Sequence, residues 1–281
     1  SMGLGSRYSR KFKTDLLDRF TLTEFGLSFL CTFSAMFCFW ISAYTIHFGL
    51  VIYGLACMIG FMTGLEIPLI TRINESYESL RENISSVMEY DYYGGLLGGA
   101  LFAFVLLPFL GLTYTPVLIG SLNLLVASLI LWTFPDHLTR PSILNIQFAV
   151  LLMASILAFA VAKPIILYGE QHKYKDKIVY QEQTRYQKIV VTQWKDDYWL
   201  FINGSTQFST YDEERYHEPL VHPLLGLIKE RKDILLLGGG DGLAAREILK
   251  YPDVENLTLV ELDPAMSRLA RQDKIFLSIN K

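Results

Sequence analysis

Asp233-Ile234-Leu235-Leu236-Leu237-Gly238-Gly239-Gly240-Asp241-Gly242, answered downstream by Asn256-Leu257-Thr258-Leu259-Val260-Glu261-Leu262-Asp263, decides the fold of the second part of this chain. The run Ile234–Leu237 is short and continuously apolar, as in a strand buried inside a parallel sheet. The glycines of 238–242 supply a tight turn, and residues from about 243 to 250 predict a helix. Residues 256–260 read as the second strand. Glu261 closes it, at about the 20-residue distance at which a nucleotide-binding unit places its ribose acid. A carboxylate there can accept from both ribose hydroxyls. The ordered set predicts the start of an α/β Rossmann-like, methyltransferase-type domain over 212–281. A glycine turn leading into a helix favours a phosphate, but Asp241 lies inside this turn. A carboxylate repels phosphate and favours a cation, so a sulfonium or ammonium ligand of the adenosylmethionine kind fits better than NAD.

Upstream, Lys188–Thr192 and Tyr198–Ile202 are rich in β-branched and aromatic residues. Asn203-Gly204 follows as a hairpin turn, and Thr206–Thr210 reads as the return strand. An antiparallel β part is therefore expected over 168–211. Residues from Asp212 to Lys229 predict a helix, with Asp212, Glu213 and Glu214 in its first turn.

The composition changes sharply further upstream. No Asp, Glu, Lys or Arg occurs over Phe25–Leu65, Tyr93–Phe134 or Pro141–Ala162. A bilayer crossing takes about 20 mostly apolar residues. Residues 1–167 are accordingly expected to form a multi-span α-helical membrane domain, with five spans near 24–46, 49–70, 93–111, 115–134 and 143–162. The polar stretch from Thr71 to Tyr92, with Glu75, Glu78, Glu82 and Glu89, reads as a connecting loop with a short amphipathic helix. Gly60/Gly64, Gly94/Gly98 and Gly95/Gly99 are spaced for close helix approach, either within one bundle or in a homodimer. Glu66 and Asp91 stand at span edges; an interfacial or structural role and the binding of a cationic amine both remain open.

Averages over the 281 residues hide this division: 51% of residues are hydrophobic, 19% are charged and the net charge is −3. These values argue against disorder, and with no basic stripe they argue against a nucleic-acid partner. Cys31, Cys38 and Cys57 have neither CxxC spacing nor histidine partners, so no metal site or disulfide framework is expected.

From about residue 178 to the end, the chain resembles the spermidine synthases, or polyamine aminopropyltransferases. The resemblance rests on Arg185-Tyr186-Gln187-Lys188-Ile189, Ile202-Asn203-Gly204 with Gln207, Asp212-Glu213 with Tyr216-His217-Glu218, and His222-Pro223. It continues through the glycine turn with Arg246-Glu247 to Val260-Glu261-Leu262-Asp263. Gly64-Leu65-Glu66-Ile67-Pro68-Leu69 and Asp91-Tyr92-Tyr93-Gly94-Gly95 look like the multi-span region fused to this domain in one branch of the family. The resemblance implies transfer of an aminopropyl group from decarboxylated S-adenosylmethionine to putrescine, giving spermidine and methylthioadenosine. It implies a donor site of Gln187, Glu261, Gly238 and Gly240, and a polyamine site of His217, Asp241 and Tyr216. It calls for no cofactor, since the decarboxylated donor is a co-substrate.

The family's principal proton-accepting aspartate lies after a fourth strand, downstream of Lys281. The chain is therefore expected to be a fragment cut at both ends, with no catalytic residue of its own and no turnover alone. A membrane-anchored methyltransferase and a polyamine transporter or sensor that only binds stand as alternatives. The location implied is a cell (inner) membrane in contact with the lipid bilayer, with the soluble part cytoplasmic. Lys163, Lys173, Lys175 and Lys177 support that side; with five spans, Arg7, Arg10, Lys11, Lys13 and Arg19 argue against it.

Overall fold

The computed structural model describes every residue except 76, 78 and 281. Glu78, one of the acids of the expected loop, therefore lies outside the described residues. The chain forms two compact units, Ser1–Lys173 and Tyr174–Lys281.

The first unit is helical: α1 (Met2–Ser9), α2 (Leu16–Ser42), α3 (Phe48–Asn74), α4 (Leu80–Leu101), α5 (Leu107–Thr133) and α6 (Pro141–Gln171). A π-helical turn, Phe102–Leu106, joins α4 to α5. Helix α2 packs against α3, α5 and α6. Phe25 meets Leu124, Ala127 and Leu144 on one side, and Phe20 meets Leu65 and Leu69 on another. Arg72 ties the end of α3 to the first turns of the chain, donating to the carbonyls of Phe12 (2.7 Å) and Ser9 (2.9 Å). Gly64 allows α1 to cross α3, because a Cβ there would stand 2.1 Å from the Met2 carbonyl oxygen. A Cβ at Gly94, Gly95, Gly98 or Gly99 would meet nothing within 4 Å among the described residues beyond its own helix. Glu66 is half-buried and its carboxyl lies near that of Glu24 of α2, while Asp91 is exposed on α4.

Four helical runs among the described residues are long and apolar enough to cross a membrane, against the five spans expected. The difference lies at 93–111 and 115–134, which fall within one run, Leu80–Thr133. Gly111 leaves helical geometry inside that run (φ 61°, ψ −169°), so the break expected there is a kink and not a loop. The expected loop at 71–92 is mostly helix: α3 continues to Asn74 and α4 begins at Leu80. Ser79 caps α4 by accepting from the Glu82 N–H (3.5 Å). Glu82 and Glu89 occupy exposed helical positions; a run of acids marks a solvated face and does not by itself exclude a helix.

The second unit opens with an antiparallel sheet in the order β1-β2-β3-β4. Its strands are β1 (Lys177–Gln183), β2 (Lys188–Trp194), β3 (Asp197–Ile202) and β4 (Ser205–Ser209). Asn203 and Gly204 take φ values of 52° and 84°, as a two-residue hairpin turn requires. After it come α7 (Glu214–Leu227), β5 (Asp233–Leu237), α8 (Leu243–Ile248), β6 (Asn256–Val260), α9 (Pro264–Gln272) and α10 (Lys274–Ile279). Strands β5 and β6 pair in parallel, from Asp233 opposite Asn256 to Leu237 opposite Val260. Their carboxyl ends finish level, where an open α/β sheet collects its ligands.

Strand β5 is not packed on both faces as its composition predicted. Ile234 and Leu236 pack with Val221, Leu225, Ala244 and Ile248, while Leu235 and Leu237 are 62% and 74% exposed. An all-apolar run has no alternation, so nothing in it marks which face is covered. The two parts of the unit share one core. Ile189, Val191, Leu200 and Phe208 of the antiparallel sheet pack against Leu243, Met266, Leu269 and Phe276. Each such side chain contributes about 1.5–3 kcal/mol on burial, enough to hold β2 and its neighbours in register with the glycine turn.

Candidate active site

The glycine turn is built on left-handed backbone at Gly238 (φ 81°), Gly239 (φ 72°) and Gly242 (φ 89°), conformations that side-chain-bearing residues resist. The Gly238 N–H donates to the Val260 carbonyl (2.8 Å), which fastens the start of the turn to the end of β6. Gly240 has a different reason to be glycine. Its N–H donates to Glu261 Oε2 (2.8 Å), and a Cβ at 240 would lie 2.7 Å from that carboxylate. Glu261 Oε1 accepts from the Asp263 N–H (3.0 Å). Both oxygens are thus aimed by backbone donors, and each keeps a lone pair for a hydroxyl.

Asp241 accepts from the Leu243 N–H through Oδ1 (2.9 Å), and Asn280 Nδ2 donates to its backbone carbonyl (2.8 Å). The aspartate itself occupies the place an anionic ligand would take at this turn. Burial raises the Asp241 carboxyl above its usual range, with the Leu243 N–H and His217 pulling the other way and nearby Glu261 adding to the rise.

His217 is 2% exposed. Its ring meets Phe208 edge to face at 5.6 Å and Tyr216 at 5.0 Å. Tyr216 itself is 55% exposed. Gln187 ends the turn between β1 and β2; its carbonyl accepts from the Thr184 N–H (2.9 Å) and its own N–H donates to the Thr184 hydroxyl oxygen (3.0 Å). Thr184 also donates through its hydroxyl to Asp263 Oδ2 (2.7 Å). That bond fastens the Gln187 turn to the residue two beyond Glu261.

Gln187, Tyr216, His217, Gly240, Asp241 and Glu261 border one cavity of about 410 Å³. Gly238 is not among its lining residues; it acts on the turn through its backbone. A larger open concavity of about 1460 Å³ lies along Arg246, Leu259 and Arg271, and shares only Gly240 and Glu261 with the first. The smaller cavity is where the chemistry-bearing groups converge, and size alone does not make a site. Among the described residues no group of three or more His, Cys, Asp or Glu is placed to hold a metal ion.

Several participants were not singled out by residue type. Glu213, in sequence a first-turn acid, joins His217 to Arg246. Asp263 caps α9 by accepting from the Ala265 N–H (3.0 Å) while it holds Thr184. The Asp-Pro step at 263–264 is an N-cap signal that could have identified it. The i,i+4 spacing of Glu213 and His217 is a local signal for their pairing; its bond to Arg246 of α8 has none.

Gly240→Ala isolates one of these contacts. The added methyl requires the Glu261 carboxylate to move off its two N–H donors, with no backbone strain at 240. Donor affinity is expected to fall about tenfold, the scale of one hydrogen bond to a charged group, with little change in thermal midpoint. Calorimetry with methylthioadenosine checks it; unchanged affinity would show that the position of Glu261 is irrelevant to binding.

Residues 213–277 match the spermine/spermidine synthase domain. Over its whole length the chain is 40% identical to the polyamine aminopropyltransferase of Oceanobacillus iheyensis, of which it covers 55%. It is 43% identical to polyamine aminopropyltransferase 2 of Aquifex aeolicus, again over the whole chain, covering 56% of that protein. A solved spermidine synthase from Thermotoga maritima is 34% identical over 34% of this chain and 35% of its own, with a TM-score of 0.34. The chain thus spans about 55% of the length of the curated relatives it matches.

These alignments correct the expected fold class, a membrane domain appended to a synthase domain. They extend over the whole chain, so the N-terminal helices and the sheets align together with one and the same relative. Length and hydropathy identify an apolar helix but do not say what covers it, which is why composition alone suggested a separate module.

Proposed function

We propose, from the premise that this chain belongs with the polyamine aminopropyltransferases, that it serves the transfer of an aminopropyl group from decarboxylated S-adenosylmethionine to putrescine. The products are spermidine and methylthioadenosine. The observation that carries this reading is the convergence of Asp241, Glu261 and His217 on one cavity at the carboxyl ends of β5 and β6.

The chemistry needs few groups. A neutral amine nitrogen attacks the carbon next to the sulfonium, the new C–N bond forms as the C–S bond breaks, and the thioether leaves uncharged. The proton released from the new ammonium passes to a base. Because the leaving group is neutral, the burden on the protein is alignment and a carboxylate surround that binds cations. Glu261 and Gln187 are assigned to the donor, with Gly238 and Gly240 shaping its turn. Asp241, His217 and Tyr216 are assigned to the aminopropyl arm and the polyamine.

Incubating the protein with the decarboxylated donor and putrescine, and quantifying methylthioadenosine and spermidine by mass spectrometry, tests the proposal. Failure to bind either the decarboxylated donor or putrescine would remove the reading. Methyl transfer from intact adenosylmethionine would favour a methyltransferase.

The raised carboxyl of Asp241 adds a pH dependence. Its carboxylate form binds a cation, and its protonated form does not. Affinity for the cationic donor is therefore expected to be full well above the raised value and to fall on acidification. The fall begins at a higher pH than an ordinary aspartate, near 3.9, would give. Titration calorimetry across pH 4 to 8 with wild type and Asp241→Asn checks this; a wild-type profile as flat as that of the variant would remove Asp241 from the cation site.

For location, we propose a cell membrane, on the strength of the apolar runs 16–42, 48–74, 80–133 and 141–171. Basic residues precede the first run and follow the last. The basic residues that follow the last run support a cytoplasmic second unit.

A further inference from the structure

The side chain of Glu213, at the start of α7, is divided between two partners. Oε1 is ion-paired with Arg246, and Oε2 lies 2.9 Å from His217 Nδ1. The backbone carbonyl of Glu213 lies 3.2 Å from the same Nδ1. A backbone carbonyl can only accept, and so can a carboxylate. Nδ1 must therefore carry the proton, and in the neutral imidazole Nε2 holds the lone pair. Since Nδ1 is turned back toward the helix start, the Nε2 edge is the one left for the cavity that His217 borders with Asp241.

The orientation of Glu213 is itself held. Arg246, besides pairing with Glu213, donates to Glu247 Oε1 (3.0 Å) and to the Ile279 carbonyl (2.8 Å). Glu213 is 7% exposed, so water does not compete freely for its oxygens. The ring is clamped by Phe208 and Tyr216, and its fixed tautomer is then a property of the fold before any ligand arrives.

We infer that Glu213 is a positioning residue: it locks His217 as the Nδ1–H tautomer and so presents the Nε2 lone pair as the acceptor that orients an amine N–H in the cavity. This rests on the amine-site reading above. Glu213 does not itself touch the cavity's ligand; it acts through the imidazole. An acceptor on a neutral ring suits an attacking amine, which must offer its own lone pair to the donor carbon and can spare only its N–H bonds for orientation.

The test is NMR on the whole chain with 15N-labelled histidine. The chain has five histidines, and the His217 signals are assigned by their loss in His217→Gln. In the wild type, a protonated Nδ1 and an unprotonated Nε2 are expected, with the Nε2 signal shifting when putrescine is added. Glu213→Gln preserves shape but reverses one polarity. Arg246 claims the amide oxygen, so the amide NH2 faces Nδ1, and the ring is expected to switch to Nε2–H. Putrescine affinity should then fall about tenfold, while methylthioadenosine affinity stays as in the wild type. A wild-type His217 found mainly as Nε2–H overturns the inference without any variant, so the test survives even if Glu213→Gln does not fold. A folded Glu213→Gln that keeps Nδ1–H and full putrescine affinity also overturns it. A wild-type ring with Nδ1–H that ignores putrescine overturns the amine-site reading instead, and leaves the Glu213–His217 geometry intact.

Discussion

Glu261→Gln is expected to lower the affinity for methylthioadenosine about a hundredfold. The two oxygens of Glu261 each accept one backbone N–H, from Gly240 and from Asp263. An amide has one oxygen and one NH2, so whichever way glutamine is turned, its NH2 confronts an N–H. One turn contact is lost, and the remaining oxygen is a poorer acceptor for a ribose hydroxyl. Hydrogen bonds to charged groups contribute about 1.5–3 kcal/mol. Losing one and weakening another comes to about 3 kcal/mol, or about a hundredfold in affinity. The effect exceeds that expected for Gly240→Ala, which displaces the carboxylate but leaves its charge. Calorimetry with methylthioadenosine, and separately with putrescine, reads the result. A Glu261→Gln protein that binds methylthioadenosine as the wild type does would end the donor-site assignment at its most specific residue.

Glu247→Leu is expected to destabilise the second unit by about 3 kcal/mol. The side chain of Glu247 is fully buried and accepts from Arg246 (3.0 Å), His222 Nε2 (3.0 Å) and Lys250 (2.6 Å). Burial alone would raise its carboxyl, but the hydrogen bonds from Lys250, Arg246 and His222 outweigh burial and hold it below the usual range. Breaking a buried ion pair by removing one partner costs about 3–5 kcal/mol. The lower figure applies because the donors left behind have other partners or reach solvent. Arg246 keeps Glu213, His222 keeps the Tyr251 hydroxyl at Nδ1 (2.9 Å), and Lys250 is 53% exposed. Denaturant unfolding followed by hydrogen exchange at β5 and α8 measures the loss. The sign with pH follows from the lowered carboxyl. Its contribution is complete above the unfolded value of about 4.3 and disappears as pH falls through the lower folded value. The gap between wild type and Glu247→Leu should therefore close in acid. A gap that stayed constant to low pH would show that packing, and not the carboxylate, is what leucine disturbs.

Much of the local structure was legible in the residues. Asn203-Gly204 specified its hairpin because few pairs adopt positive φ twice in succession. The strand, glycine turn, helix and strand of 233–260 followed from apolar runs and glycines whose conformations are set within a few residues. The apolar runs of the first unit marked helices correctly, but did not separate a kink at Gly111 from a loop, since a glycine permits both.

The candidate residues were legible singly, and their company was not. Gln187, His217, Asp241 and Glu261 are spread over some seventy positions, and they meet because Ile189, Val191, Leu200 and Phe208 share a core with Leu243, Met266 and Phe276. The sequence by itself determined the turns, the periodic elements and which side chains carry charge, because each depends on neighbours along the chain. Only the tertiary structure decided that the oxygens of Glu261 are aimed by Gly240 and Asp263, that Glu213 commands the tautomer of His217, and that β5 covers one face and exposes the other. The bond from Gly240 to Glu261, the hold of Arg246 on Glu213 and the covered face of β5 depend on contacts between segments distant in sequence, where the burial of apolar surface between elements, rather than local backbone preference, sets the geometry.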